Sequence, residues 1–170
     1  MAKRVFYSFH YIPDCARVSQ VRNIRMVEDN PAAHDNDWDR IQKGGDVAIQ
    51  RWIDDQLKGR SCTVVMIGAQ TAGRKWIDYE IKTSWDAGKG LVGVHIHNLK
   101  NLRQLQSQKD ANPFAHFVME RDKNRRLANI AKTYDPPFYD SKQVYAHIGE
   151  NLSSWIDEAI DIRGGWERAA

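Results

Sequence analysis

The sequence predicts an α/β fold, with a mostly parallel central sheet and helices on both of its faces. Three short apolar runs predict strands, at residues 5–11 (VFYSFHY), 62–68 (CTVVMIG) and 91–97 (LVGVHIH). Each run is apolar on both alternations, which is typical of a strand buried on both faces of a parallel sheet. Helical stretches separate the runs, so the chain alternates strands and helices as βαβ units do.

Three helices are predicted between the three strands. Two lie between the first and second strands, and one lies between the second and third. The first covers about residues 14–27. The second has Asp46 as its N-cap and ends at Gly59, and the third lies within residues 74–85. The glycines of DAGKG close the third helix before the last strand begins.

The C-terminal helix shows the clearest amphipathic pattern. It is predicted over residues 140–163, after a cap at Asp140 or Ser141. Its apolar residues form one stripe: Val144, Ile148, Leu152, Trp155, Ile156, Ala159 and Ile160. We expect the remaining tail, GGWERAA, to be frayed.

Two segments do not match a regular element. Residues 28–45 are polar and rich in turn formers, and residues 98–139 contain NPF and YDPPFYD, whose prolines exclude a regular helix. Long irregular segments in a compact domain are often functional loops. We expect a single domain over residues 1–170, with its α/β core in 1–101 and an irregular segment in 102–139.

The composition is that of an ordinary globular protein and excludes several classes. Of the 170 residues, 42% are hydrophobic and 28% are charged, and the net charge of +3 is too small to predict a nucleic-acid or membrane partner. No apolar run approaches the roughly 20 residues of a membrane span. Cys15 and Cys62 form no disulfide framework, and no signal-peptide pattern opens the sequence. We expect a cytoplasmic location.

Glu80 is the unusual residue of the predicted helix RKWIDYEIKTSW (74–85). At about 100° per residue it falls in the half of the helix that also carries Trp76, Ile77, Ile81, Ser84 and Trp85. This helix begins just after a strand end, where ligands bind in parallel α/β sheets. Glu80 therefore faces either a ligand or a hydrogen-bonding partner at the edge of the core, and burial would raise its pKa.

The strand ends carry the other candidate site residues. His95 and His97 share a strand face, as a pair of metal ligands would, but no third ligand stands at a suitable spacing, so no metal site is predicted. Ser8 precedes His10 by two residues, yet no G-x-S-x-G elbow supports a hydrolase triad. Neither G-x-G-x-x-G nor G-x-x-x-x-G-K-[ST] occurs, and the basic cluster RDKNRR is interpreted as solvated surface.

Several stretches together resemble one family. The opening KRVFYSFHY, the strand VVMIG and the helix start RKWIDYEI are similar to TIR-like domains, and most closely to the TIR-like proteins of the bacterial Thoeris anti-phage system. The stretches at 21–23, 46–57 and 92–101 fit the same group. The similarity covers about residues 1–101, and it implies a flavodoxin-like, TIR-like three-layer fold.

This resemblance implies an enzyme that cleaves the nicotinamide–ribose bond of NAD⁺. In such proteins the glutamate of a W-x-x-x-E pattern is the catalytic carboxylate, and here Trp76 to Glu80 matches that pattern. NAD⁺ would be the substrate, and no separate cofactor is implied. The product would be a cyclic ADP-ribose isomer or an ADP-ribose conjugate that activates a separate effector protein. A phage-derived trigger and assembly into a homo-oligomer remain open.

The same resemblance suggests which aromatic residues contact the substrate. We expect Phe6 and Trp76 to stack on the nicotinamide or adenine ring, with Tyr7 and Trp38 as second candidates. These assignments are hypotheses, because the family motif itself identifies Glu80 alone as the catalytic group.

Polar candidates follow from the first strand and helix. We expect Ser8 and His10 on the ribose–phosphate side, and Arg17 or Arg22 at the pyrophosphate. The two irregular segments are the natural lids, since cyclisation requires that water be kept from the reacting sugar.

The sequence also departs from the family and leaves alternatives open. The usual second TIR strand and its proline-bearing loop are not evident, and residues 28–45 stand in their place. A TIR-like scaffold that assembles with partners without turning over a nucleotide is the main alternative. A flavodoxin-like nucleotide or flavin binder is less favoured, because no phosphate-binding loop follows the first strand.

Overall fold

A computed structural model of the chain describes residues 3–24 and 41–169. Within them, four parallel strands form one sheet in the order β1-β2-β3-β4. The strands are β1 (Val5–Ser8), β2 (Cys62–Ile67), β3 (Gly90–His95) and β4 (Thr133–Tyr134). The predicted α/β fold with a mostly parallel sheet is confirmed.

Helices cover both faces of this sheet. They are α1 (Tyr11–Arg22), α2 (Gly45–Leu57), α3 (Lys75–Asp86) and α4 (Ser141–Ala169), with a short 3₁₀ turn at Leu127–Asn129. In the part of the chain that the structure describes, no helix is both long enough and apolar enough to cross a bilayer.

The alternation of side chains along each strand places core residues on both faces of the sheet. On one face, Val64 packs with Val18 of α1 and Ile148 of α4. On the other face, Val65 packs with Ile81 of α3. All six residues of β2 are buried, so β2 is covered on both sides, as its continuous apolar pattern predicts.

The chain leaves the first strand earlier than predicted. β1 ends at Ser8, and Tyr11, predicted to lie in the strand, begins α1 instead. Pro13 accounts for the change, because proline fits the first turn of a helix but cannot donate to a sheet. α1 consequently begins and ends before the predicted bounds of 14–27.

The start of α2 also differs from the prediction. Its N-cap is Gly44 rather than Asp46, which lies in the first helical turn. The Asp46 carboxylate forms an ion pair with Lys75 on α3 instead of capping its own helix. A contact between two helices, which local sequence does not encode, therefore determines the orientation of this side chain.

Both ends of α4 are fixed by side chains. The predicted cap at Asp140 is confirmed, since its Oδ1 accepts the backbone N–H groups of Lys142 and Gln143 at 2.8 and 3.1 Å. The expectation of a frayed tail is wrong, because α4 continues through its glycines. Arg163 holds this part, with its guanidinium 4.8 Å from the ring centroid of Trp85 and its Nε donating to the Trp85 carbonyl.

β4 lies inside the segment for which no regular element was predicted. Thr133 and Tyr134 pair in parallel with Gly93 and Val94 of β3. Gly93 permits this close approach, because a Cβ there would lie 2.7 Å from Cγ2 of Thr133. A two-residue strand is too short to produce a periodic signal.

Arg17 of α1 is buried and binds the connection that follows β3. Its Nε donates to the Leu99 carbonyl at 2.8 Å and its Nη2 to the Leu105 carbonyl at 2.9 Å. Its Nη1 lies 3.4 Å from the carboxylate of Asp14, which packs against Gly68 at the end of β2. Burial raises the pKa of Asp14, and the charge of Arg17 opposes that shift.

Replacing Arg17 is expected to destabilise the fold. Arg17→Met leaves the buried Asp14 carboxylate without its cation and removes the hydrogen bonds to the Leu99 and Leu105 carbonyls, so the free energy of unfolding should fall by about 3–5 kcal/mol. Urea unfolding at pH 7 measures this change. Arg51→Met, at an exposed position on α2, serves as the control, and Asp14→Asn in the Arg17 variant should recover part of the loss. A loss no larger than that of the control would contradict the role given to Arg17.

Candidate functional site

A cavity of about 730 Å³ lies where β1 and β2 end and α3 begins. Its walls come from the start of α1, from α2, from the turn between β2 and α3, and from the first turns of α3. This is the carboxyl edge of the sheet, where parallel α/β proteins bind their ligands.

Glu80 lines this cavity from the second turn of α3. Its neighbours on the same helix face, Ile77, Ile81 and Ser84, are buried, and Glu80 itself is 8% exposed. Ser8, at the end of β1, donates a hydrogen bond from its Oγ to Oε2 of Glu80. The expected hydrogen-bonding partner is therefore present, and the carboxyl group also borders the cavity.

The surroundings of Glu80 favour its neutral form. Burial raises the pKa of its carboxyl group to about 8, and the hydrogen bond from Ser8 opposes the shift. At neutral pH the side chain is therefore mostly protonated in the free protein. A cation that enters the cavity would stabilise the charged form and release the proton.

Cationic side chains line the same cavity. Arg74 and Lys75 stand at the start of α3, and Arg22 reaches the cavity from the end of α1. The Lys75 ammonium pairs with Asp46 across the gap between α3 and α2. Cations around a concave site suit an anionic group such as a diphosphate.

Aromatic rings form much of the remaining wall. Phe6, Phe9, Tyr11, Trp52 and Trp76 all line the cavity. Phe6 is 1% exposed and so presents only an edge, whereas Trp76 and Trp52 are half-buried. Flat apolar rings at a half-open site can stack on a planar heterocycle.

His10 lies at the junction between β1 and α1 and also lines the cavity. Burial lowers its pKa, the charge of Arg74 acts in the same direction, and a hydrogen bond with the backbone of Gln70 opposes them. The imidazole is therefore mostly neutral at neutral pH, and it can exchange hydrogen bonds with a ligand without adding a positive charge.

The structure brings most of the predicted site residues to this one cavity: Phe6, Tyr7, His10, Arg22, Trp76 and Glu80. Ser8 is placed differently, since its hydroxyl binds Glu80 instead of lining the wall. Arg17 is not among the lining residues, and its donors are used within the fold. Trp38 lies outside the described residues. The functional roles of these residues remain predictions.

The two expected lids contribute little to the part of the site that the structure describes. Gln42 comes from the first irregular segment, most of which lies outside the described residues, and Asp110 comes from the second. His95 and His97, at the end of β3, are buried and do not line the cavity. Burial lowers the pKa of His95 to about 4. Among residues 3–24 and 41–169, no group of three or more His, Cys, Asp or Glu side chains is arranged to hold a metal ion.

Sequence reasoning missed several lining residues, among them Arg74, Lys75, Trp52 and Asp110. Arg74 and Lys75 had a usable signal, because they directly precede Trp76 at a helix start that the sequence places beside the crevice. Trp52 was assigned only to the apolar face of its helix. Asp110 had no signal, since its place depends on the path of a long connection.

Comparison with known proteins identifies relatives. The family described as "Thoeris protein ThsB, TIR-like domain" matches residues 6–101, a range that includes Ser8 and Glu80. The chain is 39% identical over 123 residues to a Bacillus cereus (strain MSX-D12) protein named "Putative cyclic ADP-D-ribose synthase ThsB1". That match covers 69% of this chain and 64% of the relative, so the chain spans less than two thirds of the relative's length.

A second relative is more distant. The chain is 29% identical over 97 residues to "Gas vesicle protein L1" of Halobacterium salinarum, a match that covers 56% of this chain and 32% of that protein. Since two thirds of that protein lies outside the match, this similarity supports no functional argument.

Glu80→Gln is expected to stabilise the protein in a pH-dependent way. The folded protein holds a proton on Glu80 up to about pH 8, whereas the unfolded chain releases it near the ordinary glutamate pKa of 4.5. Stability therefore falls as pH rises through that interval, and the neutral variant escapes the loss, which is on the order of 4 kcal/mol by pH 8.

Thermal unfolding at pH 5 and pH 8 measures this difference. Glu150→Gln, at an exposed position on α4, is the control and should show no such trend. An equal effect of Glu80→Gln at both pH values would contradict a raised pKa.

Ser8→Ala is expected to raise the pKa of Glu80 further, because the Ser8 hydroxyl stabilises the carboxylate. The carbon-13 chemical shift of the Glu80 carboxyl group, followed against pH, measures the change. Ser84→Ala is the matched control, since Ser84 is a buried serine one turn along α3 whose hydroxyl pairs with Thr63. A Glu80 pKa that falls or stays constant in Ser8→Ala would show that the bond does not act on the carboxylate.

Proposed function

The chain belongs to the family of Thoeris ThsB proteins with a TIR-like domain, and on that premise we propose that it is an enzyme that consumes NAD⁺. It cleaves the nicotinamide–ribose bond and converts the remainder to a cyclic ADP-ribose-type molecule or an ADP-ribose conjugate. The name of the Bacillus cereus relative, a cyclic ADP-D-ribose synthase described as putative, supports the choice of product class.

One observation carries the proposal: a buried carboxylate, Glu80, opens onto a cavity that is also lined by aromatic rings and cations. Carboxylates are rarely buried unless they are paired, and here the hydrogen-bonding partner is the neutral hydroxyl of Ser8. Such a group is suited to meet positive charge on a bound molecule. The cavity volume of about 730 Å³ lies in the range of small-molecule and cofactor sites.

The chemistry gives Glu80 a specific task. When the bond between C1′ of the ribose and the pyridinium nitrogen breaks, its electron pair leaves with nicotinamide, which departs neutral. Positive charge then develops on the ribose ring. The carboxylate of Glu80, ionised once the cationic substrate is bound, stabilises that charge in a setting with little water.

The other lining residues fit the remaining parts of the substrate. Trp76 and Trp52 offer ring faces for nicotinamide or adenine, while Arg22, Arg74 and Lys75 offer cations for the pyrophosphate. Ser8, which is not among the lining residues, acts through its hydrogen bond to Glu80.

The second half of the reaction needs an internal nucleophile. A hydroxyl or ring nitrogen of the same molecule attacks C1′, forms the new bond and loses its proton, if it carries one, to solvent or to a nearby base. Water must be excluded for cyclisation to win over hydrolysis. The product then acts on a separate effector protein in anti-phage defence, and a phage-derived signal starts the reaction.

Glu80→Gln is expected to lower the rate of nicotinamide release on the order of a hundred-fold or more, since a neutral amide cannot stabilise the sugar cation. Nicotinamide is measured by chromatography after incubation with NAD⁺, in purified protein and in extracts of phage-infected cells. Glu150→Gln again serves as the control. Equal rates in wild type and Glu80→Gln would remove Glu80 from the mechanism.

The interaction-module alternative gives a different result. A scaffold without enzymatic activity would release no nicotinamide in infected cells, and Glu80→Gln would protect cells from phage as well as the wild type does.

A further inference from the structure

Asp110 connects the long β3–β4 connection to the cavity. In the part of the chain that the structure describes, it is the single lining residue that follows β3 in sequence. Every other lining residue precedes Ile81. Asp110 is therefore the residue through which the β3–β4 connection directly borders the described cavity.

The Asp110 carboxylate binds the turn between β2 and α3. Its Oδ2 accepts the backbone N–H groups of Thr71 at 2.7 Å and of Ala72 at 2.8 Å. Its Oδ1 accepts the N–H of Ala111 at 2.8 Å, which orients the carboxylate from its own segment. Hydrogen bonds between an ionised carboxylate and backbone N–H groups are short and about twice as strong as neutral ones.

The turn that Asp110 holds leads directly into the reactive wall of the cavity. Within the turn, the hydroxyl of Thr71 accepts the N–H of Gly68 at 2.8 Å, and Thr71 is fully buried. Gly73 then adopts a φ of +79°, a conformation that glycine adopts readily. Arg74 and Lys75 follow at once. Displacement of Thr71 and Ala72 would therefore be transmitted to the start of α3.

The β3–β4 connection is itself held by hydrogen bonds from α1, and these bonds fix the backbone that precedes Asp110. Arg17 of α1 holds the carbonyls of Leu99 and Leu105, a few residues before Asp110. The connection thus contacts α1 at one point and the β2–α3 turn at another, and it bridges two walls of the cavity.

We propose that Asp110 is a positioning residue for the substrate. Its carboxylate fastens the β3–β4 connection to the turn before α3 and so holds Arg74 and the start of α3 in place against the cavity walls that α1 and α2 supply. The inference about substrate rests on the proposed function, whereas the fastening of the turn does not.

Amide hydrogen exchange tests the fastening without any substrate. In Asp110→Ala, the amides of Thr71 and Ala72 should exchange about ten-fold faster or more, because each loses a charge-assisted acceptor. Asp110→Asn should exchange more slowly than Asp110→Ala, since its side-chain oxygen can still accept the N–H groups of Thr71 and Ala72, although its amide nitrogen cannot accept that of Ala111. Asp122→Ala is the matched control, because Asp122 lies in the same connection and binds its own turn through Asn124 and Arg125.

Kinetics with NAD⁺ tests the positioning. Asp110→Ala should raise KM for NAD⁺ ten-fold or more with a smaller change in kcat, and Asp110→Asn should restore KM to within a few-fold of wild type. Unchanged exchange in Asp110→Ala would overturn the fastening. Faster exchange with an unchanged KM, or an Asp110→Asn variant as impaired as Asp110→Ala, would overturn the positioning role.

The two proposals fail in different ways. A wild-type protein that releases no nicotinamide, even in extracts of infected cells, overturns the proposed function and the substrate role of Asp110 together. The exchange rates of Thr71 and Ala72 still decide whether the carboxylate holds the turn.

Discussion

The candidate site depends on one buried interaction, the hydrogen bond between the carboxyl group of Glu80 and the hydroxyl of Ser8. Glu80 lies on the apolar face of α3, and the end of β1 brings Ser8 to its Oε2. The fold accepts this polar group because the proton stays on it at neutral pH, so an unpaired charge is not buried. A cationic ligand reverses that balance, since it favours the ionised form. The binding of such a ligand would therefore be coupled to proton release at this side chain.

The sheet explains why these groups meet. β1 pairs with β2 in parallel register, with Ser8 opposite Val65, so the two strands end at the same edge. α3 starts from that edge and packs back over β2, which directs its early turns to the cavity and its later ones to the core. One helix face thus serves two purposes, as Ile81 packs against the sheet while Glu80, beside it, faces the cavity.

Local patterns made much of this predictable. The buried strands, the helix at 74–85 and the placement of Glu80 all follow from periodicity within a few residues, and the family motif identifies the same side chain. β4 could not be predicted, because a strand of two residues is too short to show a periodic pattern. Arg17 and Asp110 were misjudged or missed for a different reason. Their partners lie far along the chain, and only the folded path of the β3–β4 connection brings them together.

The cavity wall and the core residues of α4 come from different parts of the chain. Apart from Asp110, the described cavity wall is built from residues before Ile81, whereas α4 supplies Ile148 and Leu152 to the core on the opposite face of the sheet. Inherited damage to the two parts would consequently differ in kind. Alleles altered at exposed cavity residues such as Arg74 or Lys75 would yield a protein that folds normally around a changed cavity. Alleles altered at the buried residues of α4 would yield a protein with the same cavity and a lower melting temperature.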